Sequence, residues 1–162
     1  MAKVARSGAL SCLILGLVGC DHATKQAAKL TLENGDVVPV VEGVLNLRYA
    51  ENHDIAFNLL SWLPEALRSV LLLGTGALAI MALSVLVFRA RSGPKWRVVA
   101  ISAVLAGAVG NYADRVLRGY VVDFVHLTHW PVFNVADVCI TLGALALIFM
   151  GSRTKTASAS QA

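Results

Sequence analysis

The amino-acid sequence predicts an all-α membrane protein with four transmembrane helices and a small strand-rich extracytoplasmic platform, and three observations lead there. The chain is 57% hydrophobic and only 15% charged, whereas about 25% of residues in soluble domains are charged, so lipid is the solvent for most of its surface. Apolar runs recur near the length of roughly 20 residues that a helix needs to cross the bilayer core. The basic residues fall in short clusters beside those runs: Lys3 and Arg6, then Arg89, Arg91, Lys95 and Arg97, then Arg153 and Lys155. A net charge of +4 distributed in this way follows the positive-inside rule. It argues against nucleic acid as a partner, which would call for cations gathered on one face of a polar fold.

At 162 residues the chain fits a single domain. The spans fall at about 8–28, 66–88, 98–117 and 135–150, within one membrane domain of residues 1–152. The Ser/Ala/Thr-rich tail, 153–162, reads as disordered. The short-loop cations place both termini and the loop from Arg89 to Arg97 in the cytoplasm. Residues 29–64 and 118–133 then lie outside, and the polar ends of the first, third and fourth spans converge on that outer face. Within the first outer segment, Asn34-Gly35-Asp36 is a turn signal. Val37–Val41 and Val44–Tyr49 read as short strands separated by Glu42-Gly43. Pro64 suits the first turn of the second span.

Leu17-Val18-Gly19-Cys20, behind a basic start, also resembles a bacterial lipobox cut before Cys20. A lipid anchor would be redundant on a chain with three further spans, so an uncut first helix is the expectation. Cys12 and Cys139, in or beside apolar segments, read as small hydrophobic filler.

Ionisable and amide groups at the ends of spans are costly, which makes them functional candidates. Asp21 and Lys25 share a helix face at i, i+4, either as a helix-end salt bridge or as a contact to substrate or lipid headgroup. Asn52, in Glu51-Asn52-His53-Asp54, reads as part of a turn or as a clamp on an extended peptide backbone. Gly107, Asn111 and Arg115 form one stripe of the third span, either for close helix packing or to present an amide and a guanidinium to a ligand. Asp123 follows Val121-Val122, and Asp137 follows Asn134 at i, i+3. Two carboxylates in a poorly solvated site cannot both ionise comfortably, and one ionised beside one protonated is the acid/base pair of a peptide hydrolase. Spacing alone leaves the alternative open, with Asp137 as a helix N-terminal acid and Asp123 as a loop acid paired with an arginine. His126-x-x-His129 lacks the glutamate of an HExxH metal motif and reads as solvated loop histidines. No serine sits among the outer-face polar residues beside Lys25 to serve a serine/lysine mechanism. A proton-carrying transporter would want its carboxylates near mid-span, and these lie at the ends.

Five blocks in order carry a resemblance: Asp21-x-x-Thr24-Lys25, Asn52-x-x-x-Ala56-Phe57, Gly107-x-x-Gly110-Asn111-x-x-Asp114-Arg115, Val121-Val122-Asp123-Phe124 and Phe133-Asn134-x-Ala136-Asp137. Together they resemble the lipoprotein signal peptidases, the type II signal peptidases of bacteria. The resemblance implies an aspartyl endopeptidase of the bacterial inner membrane, with no cofactor and no metal, and a monomer is the expectation for its assembly. Its substrates would be diacylglyceryl-modified prolipoproteins, cut before the lipidated cysteine near the extracytoplasmic face, with membrane lipids around it. It also implies Asp123 and Asp137 as catalytic residues and Asn52, Asn111, Arg115 and Asn134 as substrate-binding. Asp21, Lys25, Gly107 and Asp114 take supporting roles. Two positions depart from the family pattern: Asp54 stands where a glycine is usual, and Ala106 replaces the first of two glycines.

Overall fold

The computed structural model describes residues 2–53 and 62–159, with side chains over 8–53 and 62–151. Asp54, Ala56 and Phe57 lie outside the described residues. The elements follow in the order α1 (Ala2–Leu32), β1 (Val37–Val41), β2 (Leu45–Asn52), α2 (Glu65–Ala90), α3 (Lys95–Arg118), β3 (Val121–Leu127) and α4 (Val135–Ala159). The fold is mostly helical, with one three-stranded antiparallel sheet in the order β1-β2-β3.

Helices α2 and α3 each begin directly after a proline, Pro64 and Pro94, whose φ is near −55°. Proline has no N–H to donate and is pre-set for a helix start. At 1.5 Å per residue, the 26 residues of α2 and 24 of α3 span about 39 and 36 Å, enough for a hydrocarbon core of about 30 Å. Both are long and apolar enough to cross a membrane, and Val135–Gly151 of α4 is a shorter apolar stretch. The polarity of the molecule is inside out. No residue of α2 is buried, and Leu78, Met81 and Phe88 turn outward. Asp21, Lys25, Asp114, Asp123 and Asn134 are buried instead. An apolar shell around a polar interior is the arrangement that hydrocarbon solvent favours.

Helix α3 is the hub and packs against each of the other three helices, most extensively against α4. Glycines make the approach possible. A Cβ on Gly107 would run into the carbonyl oxygen of Ala136 and the side chain of Ile140, and one on Gly143 would lie 2.7 Å from the Ala100 carbonyl oxygen. Gly119 closes α3 in the left-handed conformation at φ 82°, donating its N–H to the Arg115 carbonyl at 3.1 Å, a helix stop that suits glycine. β3 starts two residues later.

β1 occupies the span expected for it, and β2 extends past Tyr49 to include Glu51 and Asn52. β3 is a difference from the sequence reading, which left 118–133 as a loop. The run Val121-Val122-Asp123-Phe124-Val125 is rich in β-formers, but its strand character is realised only because β2 pairs with it, Ala50 opposite Asp123 and Asn52 opposite Val121. The helical assignment of α4 continues through Ala159.

The glycine contacts carry a test. Overpacking a tight core costs about 1–3 kcal/mol. Gly107→Val should therefore lower the thermal midpoint of detergent-solubilised protein by several degrees, roughly 2–4 °C per kcal/mol at this size. Gly16→Val, where nothing lies within 4 Å of an added Cβ, should leave it unchanged; equal midpoints for the two variants would contradict the packing.

Candidate active site

The site forms where β2, β3 and the first turn of α4 meet the outer half of α3. β3 is held from both sides. The Val122 N–H donates to Asp114 Oδ2 at 3.2 Å, which ties the strand to α3. A bridge between Val125 and Phe133, with N–H donations in both directions at 2.8 and 2.9 Å, closes the following turn and delivers Asn134 beside the strand. Asp123 therefore sits on a paired strand, 3% exposed, rather than in a loop. Asn52 is opposite Val121 and shares its face, so it is a diagonal neighbour of Asp123. Its amide donates to Asp123 Oδ2 at 3.0 Å. Asn52 is thus the last residue of a strand, not a turn residue.

Asp137 is held by a reciprocal cap at the start of α4. Asn134 Oδ1 accepts the Asp137 N–H at 3.0 Å, and Asp137 Oδ2 accepts the Asn134 N–H at 3.1 Å. This is a capping box with asparagine at the cap and aspartate three residues on. With its oxygen engaged there, Asn134 has only its amide N–H groups for the other side, and Nδ2 donates to Asp123 Oδ1 at 2.6 Å. One asparagine, fully buried, thereby touches both carboxylates.

Asn111 completes the set. Its Nδ2 donates to Asp137 Oδ1 at 2.8 Å, and its Oδ1 accepts from Lys25 Nζ at 2.9 Å and from Asn134 Nδ2 at 3.1 Å. Lys25 has no exposed surface and pairs with Asp21 at 2.8 Å and Asp114 at 3.0 Å. That burial removes the reading of Asp21 and Lys25 as a contact to substrate or headgroup. Asp21 Oδ1 accepts the Ala136 N–H at 2.9 Å, and Gly110 makes room, because a Cβ there would lie 2.5 Å from Asp21 Oδ2. Asp114 also pairs with Arg118 at 2.8 Å. Arg118 escaped the sequence reading although its i, i+4 spacing from Asp114 was a usable signal. Arg115 donates to the Asn111 carbonyl at 3.3 Å and lies within electrostatic reach of Asp123, Asp137 and Asp114. Gly107 contributes packing against α4 only.

Each of the four carboxylate oxygens of Asp123 and Asp137 thus accepts one N–H. Burial pushes the Asp123 carboxyl up from its ordinary 3.8 to about 6; the charge of Asp137 adds to the rise, while the Asn52 and Asn134 donors oppose it. Asp21, Asp114, Lys25 and Arg118 balance one another in charge.

Residues 13–152 match the family model described as signal peptidase (SPase) II. The chain belongs to the signal peptidase II family. It is similar to the lipoprotein signal peptidase of Chlorobium phaeobacteroides, 34% identical over 82% of this chain and 83% of that protein. It is also similar to those of Desulforapulum autotrophicum, 35% identical over 82% and 85%, and Francisella tularensis subsp. novicida, 33% identical over 90% and 92%. Among solved structures, a bacterial membrane enzyme determined by the in meso method at 2.3 Å matches with a TM-score of 0.79 and 28% identity, covering 91% of this chain and 90% of that one. A second, at 1.9 Å, matches with a TM-score of 0.73 and 28% identity over 88% and 92%. As a signal peptidase II, the protein is an aspartic protease acting in a membrane.

The environment of Asp123 has a consequence for stability. Its folded pKa lies above the unfolded value, so the native state binds the extra proton between about pH 4 and pH 6, and stability falls as pH rises through that window. Asparagine cannot ionise and escapes the loss. The thermal midpoint of Asp123→Asn minus that of the parent should therefore grow from pH 4 to pH 7, as measured by fluorescence unfolding in detergent. A difference that is flat or shrinks would contradict the buried-carboxyl assignment.

Proposed function

We propose that this peptidase removes signal peptides from diacylglyceryl-modified prolipoproteins, cutting on the N-terminal side of the lipidated cysteine, with Asp123 and Asp137 as its catalytic pair. The curated relatives are lipoprotein signal peptidases, and the observation that carries the pair is Asn134, whose main-chain and side-chain N–H groups hold one oxygen of each carboxylate. Asp123, the more enclosed of the two, is assigned the proton and acts as the acid once bound substrate excludes water from the pair. Asp137 serves as the base and accepts a proton from the attacking water as that water adds to the scissile carbonyl. Asp123 donates its proton to the carbonyl oxygen, and the tetrahedral adduct collapses as Asp137 passes its proton to the leaving amine. The proton returns to Asp123 from the adduct's hydroxyl, so the pair ends as it began.

Access supports the same assignment. Asn52 is exposed and Asp137 half-buried, which leaves the pair open on the side of the β2 end, where Asn52 and Arg115 position an extended peptide. All four helices span the membrane. Both termini and the basic turn between α2 and α3 face the cytoplasm, and the sheet rests on the opposite face. The carboxylates then sit at headgroup depth in the bacterial inner membrane. A diacylglyceryl group sunk in the bilayer holds its cysteine at that depth and brings the scissile bond to the aspartates. The enzyme works as a monomer, with bilayer lipid around it.

In purified protein with a synthetic lipopeptide, Asp123→Asn and Asp137→Asn should each cut kcat by about 10³-fold or more, in line with the loss of an acid/base group, while the protein still folds in detergent. Full activity in either would remove the two-aspartate mechanism. The same peptide without its acyl chains should go uncut; comparable cleavage of both peptides would remove the depth argument.

A further inference from the structure

We propose that Lys25 is a positioning residue for catalysis, which sets the orientation of the Asn111 amide and through it holds the Asp137 carboxylate in its working rotamer. The inference rests on the two-aspartate reading above. An asparagine amide can be turned over with almost no change in shape, so its orientation must be decided by its neighbours. Lysine offers three donors and no acceptor, and all three find partners here: Asp21 Oδ2 at 2.8 Å, Asp114 Oδ2 at 3.0 Å and Asn111 Oδ1 at 2.9 Å. The two carboxylates hold the ammonium in place, and only the oxygen of Asn111 can face it.

Turning the amide over would create conflicts at three contacts. The Asn111 NH2 would face the Lys25 ammonium and the Asn134 NH2, and the Asn111 oxygen would face Asp137 Oδ1. The Asn134 amide is fixed independently by the Asp137 N–H on its oxygen. Lys25 therefore acts at one remove. It touches neither carboxylate of the pair and has no exposed surface for substrate; its bonded route to the reacting centre is the Asn111 contact of 2.8 Å to Asp137, beside the through-space pull of its charge on Asp123. Burial alone asks for a third acceptor on the ammonium, and a main-chain carbonyl or a hydroxyl would meet that need. The acceptor it meets is instead an amide whose other end holds Asp137, and that choice of partner is what points to the reaction.

Removing Lys25 alone leaves Asp21 buried without its cation, so the test uses a charge-balanced pair. Asp21→Asn keeps an oxygen for the Ala136 N–H, and Asp114 keeps Arg118. Against Asp21→Asn as the reference, Asp21→Asn/Lys25→Met should lower kcat on a lipopeptide at least about tenfold with KM within about twofold, the signature of lost transition-state stabilisation rather than lost substrate binding. The thermal midpoint should stay close to that of the reference. Repeating the Lys25→Met change in an Asn111→Ala background should lower kcat by less than about threefold, because residues acting as one unit are not additive. Undiminished kcat, a loss in KM instead, the same factor in both backgrounds, or a loss tracking a collapse of the thermal midpoint would each overturn the proposal. Asp137→Asn is run beside these variants. If it is inactive while Asp21→Asn/Lys25→Met is undiminished, only the role of Lys25 fails; if it is active, the two-aspartate reading fails with it.

Discussion

The Lys25 ammonium, with no exposed surface, is the interaction on which the rest of the structure depends. Charge inside a membrane protein is costly unless paired and hydrogen-bonded, and this one is met by acceptors from α1 and α3 at every donor. Its partner Asp21 reaches α4 through the Ala136 N–H, and its partner Asp114 reaches β3 through the Val122 N–H. One cation thus connects α1, α3, α4 and the sheet. The small residues follow from it. Gly110 lets the Asp21 carboxylate lie against α3, and Gly107 lets α4 come close enough to present Ala136.

Helix packing in lipid gains nothing from hiding apolar surface, because the solvent is as apolar as the side chains. α2 shows this directly: none of its residues is buried, and its packing is chiefly against α3. The cohesion of the other three lies in close backbone contact and in the polar cluster, which is also the wall of the site. The same bonds that assemble the helices therefore position the aspartates, and the site stands on helix ends and a paired strand rather than on mobile connections.

The two carboxylates are held by different means. Asp137 belongs to the first turn of α4, where a capping box and the helix N-terminus both favour negative charge. Asp123 is enclosed on β3, and burial outweighs its two amide donors, leaving its pKa near 6. The proposed mechanism asks one residue type to serve as both acid and base, which needs environments that differ in this way. The enclosure of Asp123 costs folding stability near neutral pH, a cost the remaining cluster must offset.

Much of this was legible in the sequence, because lipid imposes a simple rule on composition. The apolar runs, their flanking cations and the first two strands follow from residue type in order, and so do Asp21, Lys25, Asn52, Asn111, Asp114, Arg115, Asp123, Asn134 and Asp137 as the polar groups worth attention. Local spacing also shows Asp21 beside Lys25 and Asn134 beside Asp137, since i, i+3 and i, i+4 neighbours are set by the helix alone. Pairing between elements lies beyond it. Whether 121–127 is a loop or a strand depends on β2, seventy residues away in contact terms. Whether Lys25 meets substrate or Asn111 depends on how closely glycines let α1, α3 and α4 approach. The sequence by itself determined which side chains are too polar for lipid and must find partners; only the tertiary structure decided the partners, because a hydrogen bond is a matter of distance and direction between chain segments that the linear order leaves free.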